Sequence, residues 1–556
     1  MDEKRPPGDY YAREPQRRTQ WSKYWAIIPL VLICFILWSE AKLSRPLPRS
    51  ARNYIQYDGE HIRWAPCGSL EDISLECSSI DVPMDQFSTD NPENKTFNIP
   101  LIRMRGREAT QNLLLNPGGP GAGGFDLMYR RGKQLKALVG EGVHLLSFDP
   151  RGVNSSTPLA SCYPDDRTRR ELAPVRTQDV FNDSPEVYAW TQNFIRACSD
   201  TMGEYAKYIN TPQIAADMNS ILDALGQEDM AYWGFSYGSL LGQTYAGLFP
   251  ERSRRIIIDG VINQFQWYEG IYEAEAFVDA DTVLDGFFET CIKEGVGRCS
   301  LAALAKSKEE LREIVLSNIE KLKKQPISVY IDNSAYGLLD YEKIWYNGVY
   351  PALLKPQTWA TLADNLHRFI EGNATDAFLA YGGESTWEMR HESNEFITLN
   401  DGLTGPEYWP QDRKSLLDKI VPFYNRSLFG ASQSKIYYMK QQWTLPRTHP
   451  YLPRKGIKTA HPLLILSTTY DPVCPLRAAR SANEAFEDSK IVEVQAYGHC
   501  SVAVTSACLD RHLREFLYEG KLPQSYTKCN IDSPYFVKME ESGHVSAHGN
   551  FDNPYG

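Results

Sequence analysis

The sequence predicts an α/β fold with a mostly parallel central sheet and a large, mainly helical lid insertion, and three observations carry that expectation. Short apolar runs at 97–103, 112–115, 143–148, 230–233 and 255–258 alternate with helical patterns such as 214–225 and 240–248, the rhythm of strands joined by crossover helices. Between the run ending at Trp233 and the helix starting near Leu240 lies Gly234-Phe-Ser-Tyr-Gly238, a sharp strand-to-helix turn. The rhythm stops over 264–455, where aromatics and helical stretches such as 308–323 prevail, and returns with 462–467, 491–494 and a helix near 504–518. One sheet interrupted by a lid explains all three. The tail after Leu522 is polar and irregular, and no internal repeat is visible.

The turn supplies the first chemical assignment. Gly-x-Ser-x-Gly forces a serine hydroxyl into the open at the top of a sheet, because only glycine tolerates the crowding on either side. Five residues match by chance in many chains, so Ser236 is read as a nucleophile on its context. A serine needs a base and an orienting acid, each past the C-terminal end of a strand. Of the ten histidines, His461 precedes its strand, His512 lies inside a helix, and His544 and His548 lie in the tail. His499 ends the strand-like run 491–499 and is the expected base. Asp471 follows 463–470 and is the expected acid, with Asp259 after 256–258 as its rival. A developing oxyanion needs preorganised backbone donors. The loop Asn116-Pro-Gly-Gly-Pro-Gly121 follows the run 113–115, so Gly118 or Gly119 would supply one N–H and Tyr237 the other.

Composition bounds the setting. A chain of 556 residues, 42% hydrophobic, can bury a large core; its net charge of −11 argues against a nucleic-acid partner, which requires a basic surface. Residues 24–39 are uncharged, with Trp25 and Trp38 near the ends, and are expected to form a transmembrane signal anchor behind a polar, disordered cytosolic tail at 1–23. A cleaved signal peptide, giving a secreted protein, is the alternative. Basic residues flank the segment on both sides and do not orient it. Cys34 lies within it, whereas the other ten cysteines and the sequons at Asn94, Asn154, Asn373 and Asn425 all follow, which favours a lumenal or extracellular body. Short separations pair Cys67 with Cys77 and Cys291 with Cys299. Cys474 and Cys500 follow the acid and the base on loops that must meet, so they are expected to bond, leaving Cys162–Cys198 and Cys508–Cys529.

Taken together, the 116–121 loop, Asp149-Pro-Arg-Gly-Val-Asn-Ser-Ser156, Trp233-Gly-Phe-Ser-Tyr-Gly-Ser239, Ile258-Asp-Gly-Val261, Asp471-Pro-Val-Cys-Pro475 and Gly498-His-Cys-Ser501 resemble the α/β-hydrolase serine peptidases of the prolyl-iminopeptidase and tripeptidyl-aminopeptidase group. The resemblance covers about 55–265 and 455–530, the latter similar to the tripeptidyl-aminopeptidase C-terminal domain. It implies an α/β-hydrolase that removes residues from peptide N-termini. Pro117 stands where that group has a histidine. The organisation expected is then a hydrolase core at 53–263 and 456–530, the lid at 264–455 and a polar tail at 531–556. An exopeptidase must hold a substrate ammonium; residues 269–294 carry eight carboxylates and one lysine, so Glu269, Glu273 and Glu275 are candidates, against the plainer reading of a solvated helix face. No metal or other cofactor is expected, since the Cys and His spacing fits no zinc pattern. A carboxylic-ester hydrolase on the same fold is the enzymatic alternative, and a noncatalytic binding protein on a hydrolase scaffold the third reading.

Overall fold

In a computed structural model, the described residues are 54–88, 94–175, 181–383, 392–430 and 434–537. The described residues constitute one compact unit. Its frame is a ten-stranded sheet in the order β1-β2-β3-β5-β4-β6-β7-β10-β11-β12. β1 (Ala65–Leu70), β2 (Ile73–Pro83) and β3 (Thr96–Met104) form an antiparallel meander, and β3 joins β5 (His144–Phe148) antiparallel. From β5 the sheet is parallel through β4 (Asn112–Asn116), β6 (Met230–Phe235), β7 (Ser253–Asp259), β10 (Leu464–Tyr470), β11 (Lys490–Tyr497) and β12 (Thr527–Cys529). β4 and β6 are buried along their whole length. Strands buried on both faces read as unbroken apolar runs, which is why the sequence reveals them. β12 corrects the expectation of an irregular tail: Thr527, Lys528 and the buried Cys529 pair with β11 through their backbone, and no periodicity marks them.

Helices cover both faces. On one, α1 (Gly124–Val139) shares a cluster with the interior of β4, β6 and β11 through Leu127, Met128 and Leu135. On the other, α2 (Thr211–Ala224) and α3 (Tyr237–Leu248) bury Ile214, Met218, Leu240 and Leu241. Arg151 fastens the loop after β5 to α2 by a two-pronged, fully buried bond to Asp217 (2.6 and 2.7 Å).

Between β7 and β10 the chain leaves the sheet. Its first portion has a core of its own around Phe287, Trp345 and Trp359, and contributes an antiparallel hairpin, β8 (Ile327–Asp332) and β9 (Ala335–Leu339), that the helical expectation for this region did not include. Its second portion, including α4 (Ser393–Asp401), buries Phe396, Tyr437 and Trp443 in the same cluster as α2 and α3. That portion is welded to the body.

The expected disulfides Cys67–Cys77, Cys162–Cys198, Cys291–Cys299 and Cys508–Cys529 are formed. Among the described residues no helix is long and apolar enough to cross a membrane. The tail at 1–23 and the anchor expected at 24–39 lie outside the described residues, as does most of the tail expected at 531–556.

Candidate active site

Ser236 sits between β6 and α3 with φ 57° and ψ −121°, a strained conformation for a residue with a side chain. The glycines around it are demanded by contact. A Cβ on Gly234 would lie 2.1 Å from the Gly238 carbonyl oxygen, and one on Gly238 would lie 2.6 Å from that of Asn116. The Ser236 N–H is held by the Asp259 carbonyl at 2.9 Å, so the elbow is fixed to the end of β7.

His499 and Asp471 converge from the ends of β11 and β10. Nδ1 of His499 lies 2.8 and 2.9 Å from the two Asp471 carboxylate oxygens. A carboxylate only accepts, so Nδ1 carries the proton and the lone pair of the neutral ring sits on Nε2. Asp471 is fully buried, and the His499 side chain is 17% exposed. The same carboxylate accepts the N–H groups of Val473 (2.9 Å), Cys474 (2.8 Å) and Cys500 (3.0 Å). The rival, Asp259, is engaged elsewhere: it accepts the Ser501 N–H (2.7 Å) and hydroxyl (2.6 Å), and burial pushes its carboxyl up to about 6.

Of the two glycines proposed as oxyanion donors, Gly118 is excluded, because its N–H is given to the Asn116 side chain at 3.1 Å. Its positive φ of 102° aims the loop, and a Cβ there would meet the Phe235 carbonyl at 2.5 Å. Among the described residues the Gly119 and Tyr237 N–H groups donate to nothing, which leaves them for a ligand. The Asn116 side chain is a site residue that the sequence reading missed; an Asx turn inside the 116–121 motif was the available signal.

The expected Cys474–Cys500 disulfide is not formed; both are free, buried thiols. The two loops do meet, but the Asp471 carboxylate braces them, receiving one cysteine N–H on each oxygen. The sulfurs serve different sides of the elbow. Cys500 Sγ turns to the Asp259 carbonyl at 3.6 Å, while Cys474 Sγ stands with His499 and Asp471. Burial pushes both thiols well above the usual range.

Two of the three carboxylates proposed for a substrate ammonium already have cations. Glu273 is 2.5 Å from Lys440 in a pair almost wholly removed from water, and Glu275 is bonded to Asn263 (2.9 Å) and lies 3.2 Å from Arg477. Glu269 is exposed just beyond the helix Gln264–Tyr268. The charge run could not disclose this, since Lys440 is 167 residues from its partner. Asn94, Asn154, Asn373 and Asn425 are all exposed, and the amide nitrogen of Asn154 also donates to Asp149 at 2.8 Å.

The chain between β7 and β10 reaches the site from two sides. Asn394 of α4 donates to the Pro120 carbonyl at 3.1 Å, and the Leu354 carbonyl receives the His499 N–H at 2.9 Å. Beneath α4, Asp401 accepts the Thr211 N–H (2.8 Å), the Thr211 hydroxyl (2.5 Å) and the Trp267 indole N–H (2.9 Å), and the Thr211 hydroxyl meets that of Tyr237 at 2.6 Å. A buried polar network therefore joins the lid to the residue that follows Ser236.

Residues 111–282 match the family model described as alpha/beta hydrolase fold, and 426–529 match that described as TAP-like protein. The chain is 27% identical over 496 residues to serine protease Hip1 of Mycobacterium tuberculosis, covering 85% of this chain and 91% of that protein. It is 22% identical to the tripeptidyl aminopeptidase of Streptomyces lividans, covering 84% of this chain and 86% of that one. A protein named carboxylesterase B from M. tuberculosis is 25% identical, covering 82% and 86%.

Proposed function

From the premise that this chain is a serine peptidase of the α/β-hydrolase fold, we propose that it is an aminopeptidase that works through an acyl-enzyme and releases short pieces from peptide N-termini. Ser236 is the nucleophile. His499 takes its proton and returns it to the departing amine, while Asp471 holds the ring and stabilises the imidazolium. The Gly119 and Tyr237 N–H groups receive the oxyanion, and water then releases the acyl group by the same steps in reverse order. The observation that carries this reading is the 2.8 Å Asp471–His499 pair at the elbow, with lid residues bonded both to the 116–121 loop and to the histidine loop. A site roofed in this way admits chain ends and excludes folded segments.

Preference for a free amine needs a carboxylate other than Glu273 or Glu275. Glu395 is our candidate: it stands on α4 beside Asn394, makes no ion pair among the described residues, and has its acid pushed up by burial. Peptides with a free N-terminus should be cleaved at least tenfold faster than their acetylated forms, about 1.4 kcal/mol in the transition state, and Glu395→Gln should shrink that ratio. Equal rates on free and acetylated peptides reject the exopeptidase reading. The relative named carboxylesterase B supports an ester hydrolase as the second reading; simple esters turned over faster than any peptide would favour it.

The expected setting is likewise carried forward as a proposal: a single-pass membrane protein anchored at 24–39, its catalytic body lumenal or extracellular, acting on peptides that share that compartment.

A further inference from the structure

We propose that the catalytic crevice is also a binding site for a soft divalent cation, held by the Cys474 thiolate, His499 and Asp471, and that the bound cation switches the enzyme off. One ligand atom from each of these three residues lies within 4.8 Å of the other two. Zinc holds sulfur at about 2.3 Å and nitrogen or oxygen at about 2.0–2.2 Å, so donors in a tetrahedron stand about 3.3–3.7 Å apart. The Nδ1–Asp471 distances of 2.8 and 2.9 Å are below that spacing, so a cation held by both takes the place of their hydrogen bond. The donor set of one sulfur, one nitrogen and one oxygen favours zinc or cadmium over magnesium or calcium. Two anionic ligands balance the dication.

The second group of this kind, Cys508, His512 and Cys529, makes a useful contrast. Its sulfurs are bonded to each other and offer no thiolate. Cys474 remains a thiol although four other cysteine pairs in the same chain are oxidised, and its sulfur lies within 4.8 Å of ligand atoms of His499 and Asp471. Its sulfur is thus in a position to share a ligand with the catalytic histidine.

Binding releases one proton: the Cys474 S–H bond breaks and a metal–sulfur bond forms, while the ring proton leaves Nδ1 for Nε2 and the metal–nitrogen bond uses the Nδ1 lone pair so freed. A neutral imidazole has only one such pair. Whichever ring nitrogen the cation occupies, no base is left for the Ser236 proton. The inhibition rests on the triad proposed above, whereas the binding does not.

The test separates the two. Metal-free protein and its Cys474→Ala and Cys474→Ser variants are dialysed against zinc chloride, titrated with cadmium chloride in the ultraviolet, and assayed on a chromogenic peptide with and without zinc. The parent should bind one zinc per chain, develop a thiolate-to-cadmium absorption band and lose activity reversibly, with chelator restoring it. Both variants should lack the band, bind zinc at least tenfold more weakly and keep their own metal-free rate in zinc. Ser236→Ala, inactive by design, should bind as the parent does. Equal zinc binding by parent and variants, or no cadmium band in the parent, overturns the site. Binding through Cys474 with undiminished turnover leaves that ligand standing but rejects the switch.

Discussion

At the scale of residues, the two aspartates show how similar sequence positions acquire different work. Asp471 and Asp259 both end parallel strands beside the elbow, yet Asp471 receives the imidazole N–H and three backbone N–H groups, whereas Asp259 receives Ser501. Ser236→Ala and His499→Ala should each lower kcat by on the order of 10⁶ with the fold retained, because triad members act as a unit. Asp471→Asn should cost on the order of 10⁴, since an amide favours the wrong imidazole tautomer. Asp259→Asn should cost far less; a larger loss there than in Asp471→Asn, measured as kcat/KM on one peptide, reverses the assignment. Gly238→Ala offers a steric check, as its methyl carbon would lie 2.6 Å from the Asn116 carbonyl oxygen. A loss of about 1–3 kcal/mol in urea unfolding, together with impaired turnover, is expected.

At the scale of elements, buried charge decides how the lid is seated. Lys440 gives its ammonium to Glu273 and to the Gly270 carbonyl (2.9 Å), inside a ring of Tyr272, Trp409 and Tyr437. Lys440→Met strands the Glu273 carboxylate and should destabilise by about 3–5 kcal/mol, whereas the double change Lys440→Met with Glu273→Leu should recover most of that. A single variant as stable as the parent contradicts this account.

The network under α4 predicts a pH effect. Burial raises the Asp401 carboxyl to about 6 from its ordinary 3.8. The folded chain therefore holds this proton over a range in which the unfolded chain has lost it. The contribution to stability is complete below about 3.8 and is lost as pH rises to about 6. Asp401→Asn keeps the shape without the titration, so its stability relative to the parent should improve steadily as pH rises through that window and level off above it. A difference that does not vary with pH, measured by urea midpoints, removes Asp401 as the titrating group.

At the scale of the whole molecule, the proposed anchor at 24–39 and lumenal body make a direct test of topology. Protease added to sealed vesicles should trim about two dozen N-terminal residues and spare the body, and glycosidase should increase its gel mobility. Digestion of the body in intact vesicles reverses the topology.

The sequence by itself determined the order of the parallel strands' apolar runs, the elbow at Ser236 and the strand-end positions of Asp471 and His499. These are local properties: burial on both faces writes itself as continuous hydrophobicity, and a crowded turn writes itself as glycine. Four disulfides were legible for a similar reason, through spacing and elimination. Tertiary structure alone decided which aspartate meets the histidine, that Asn116 takes the Gly118 N–H, that a carboxylate rather than a disulfide joins the Cys474 and Cys500 loops, and that Lys440 claims Glu273. Each of those depends on the direction of a side chain relative to a partner elsewhere in the fold. A carboxylate's charge is written in the chain, but whether that charge is free is settled by a neighbour that may be 167 residues away.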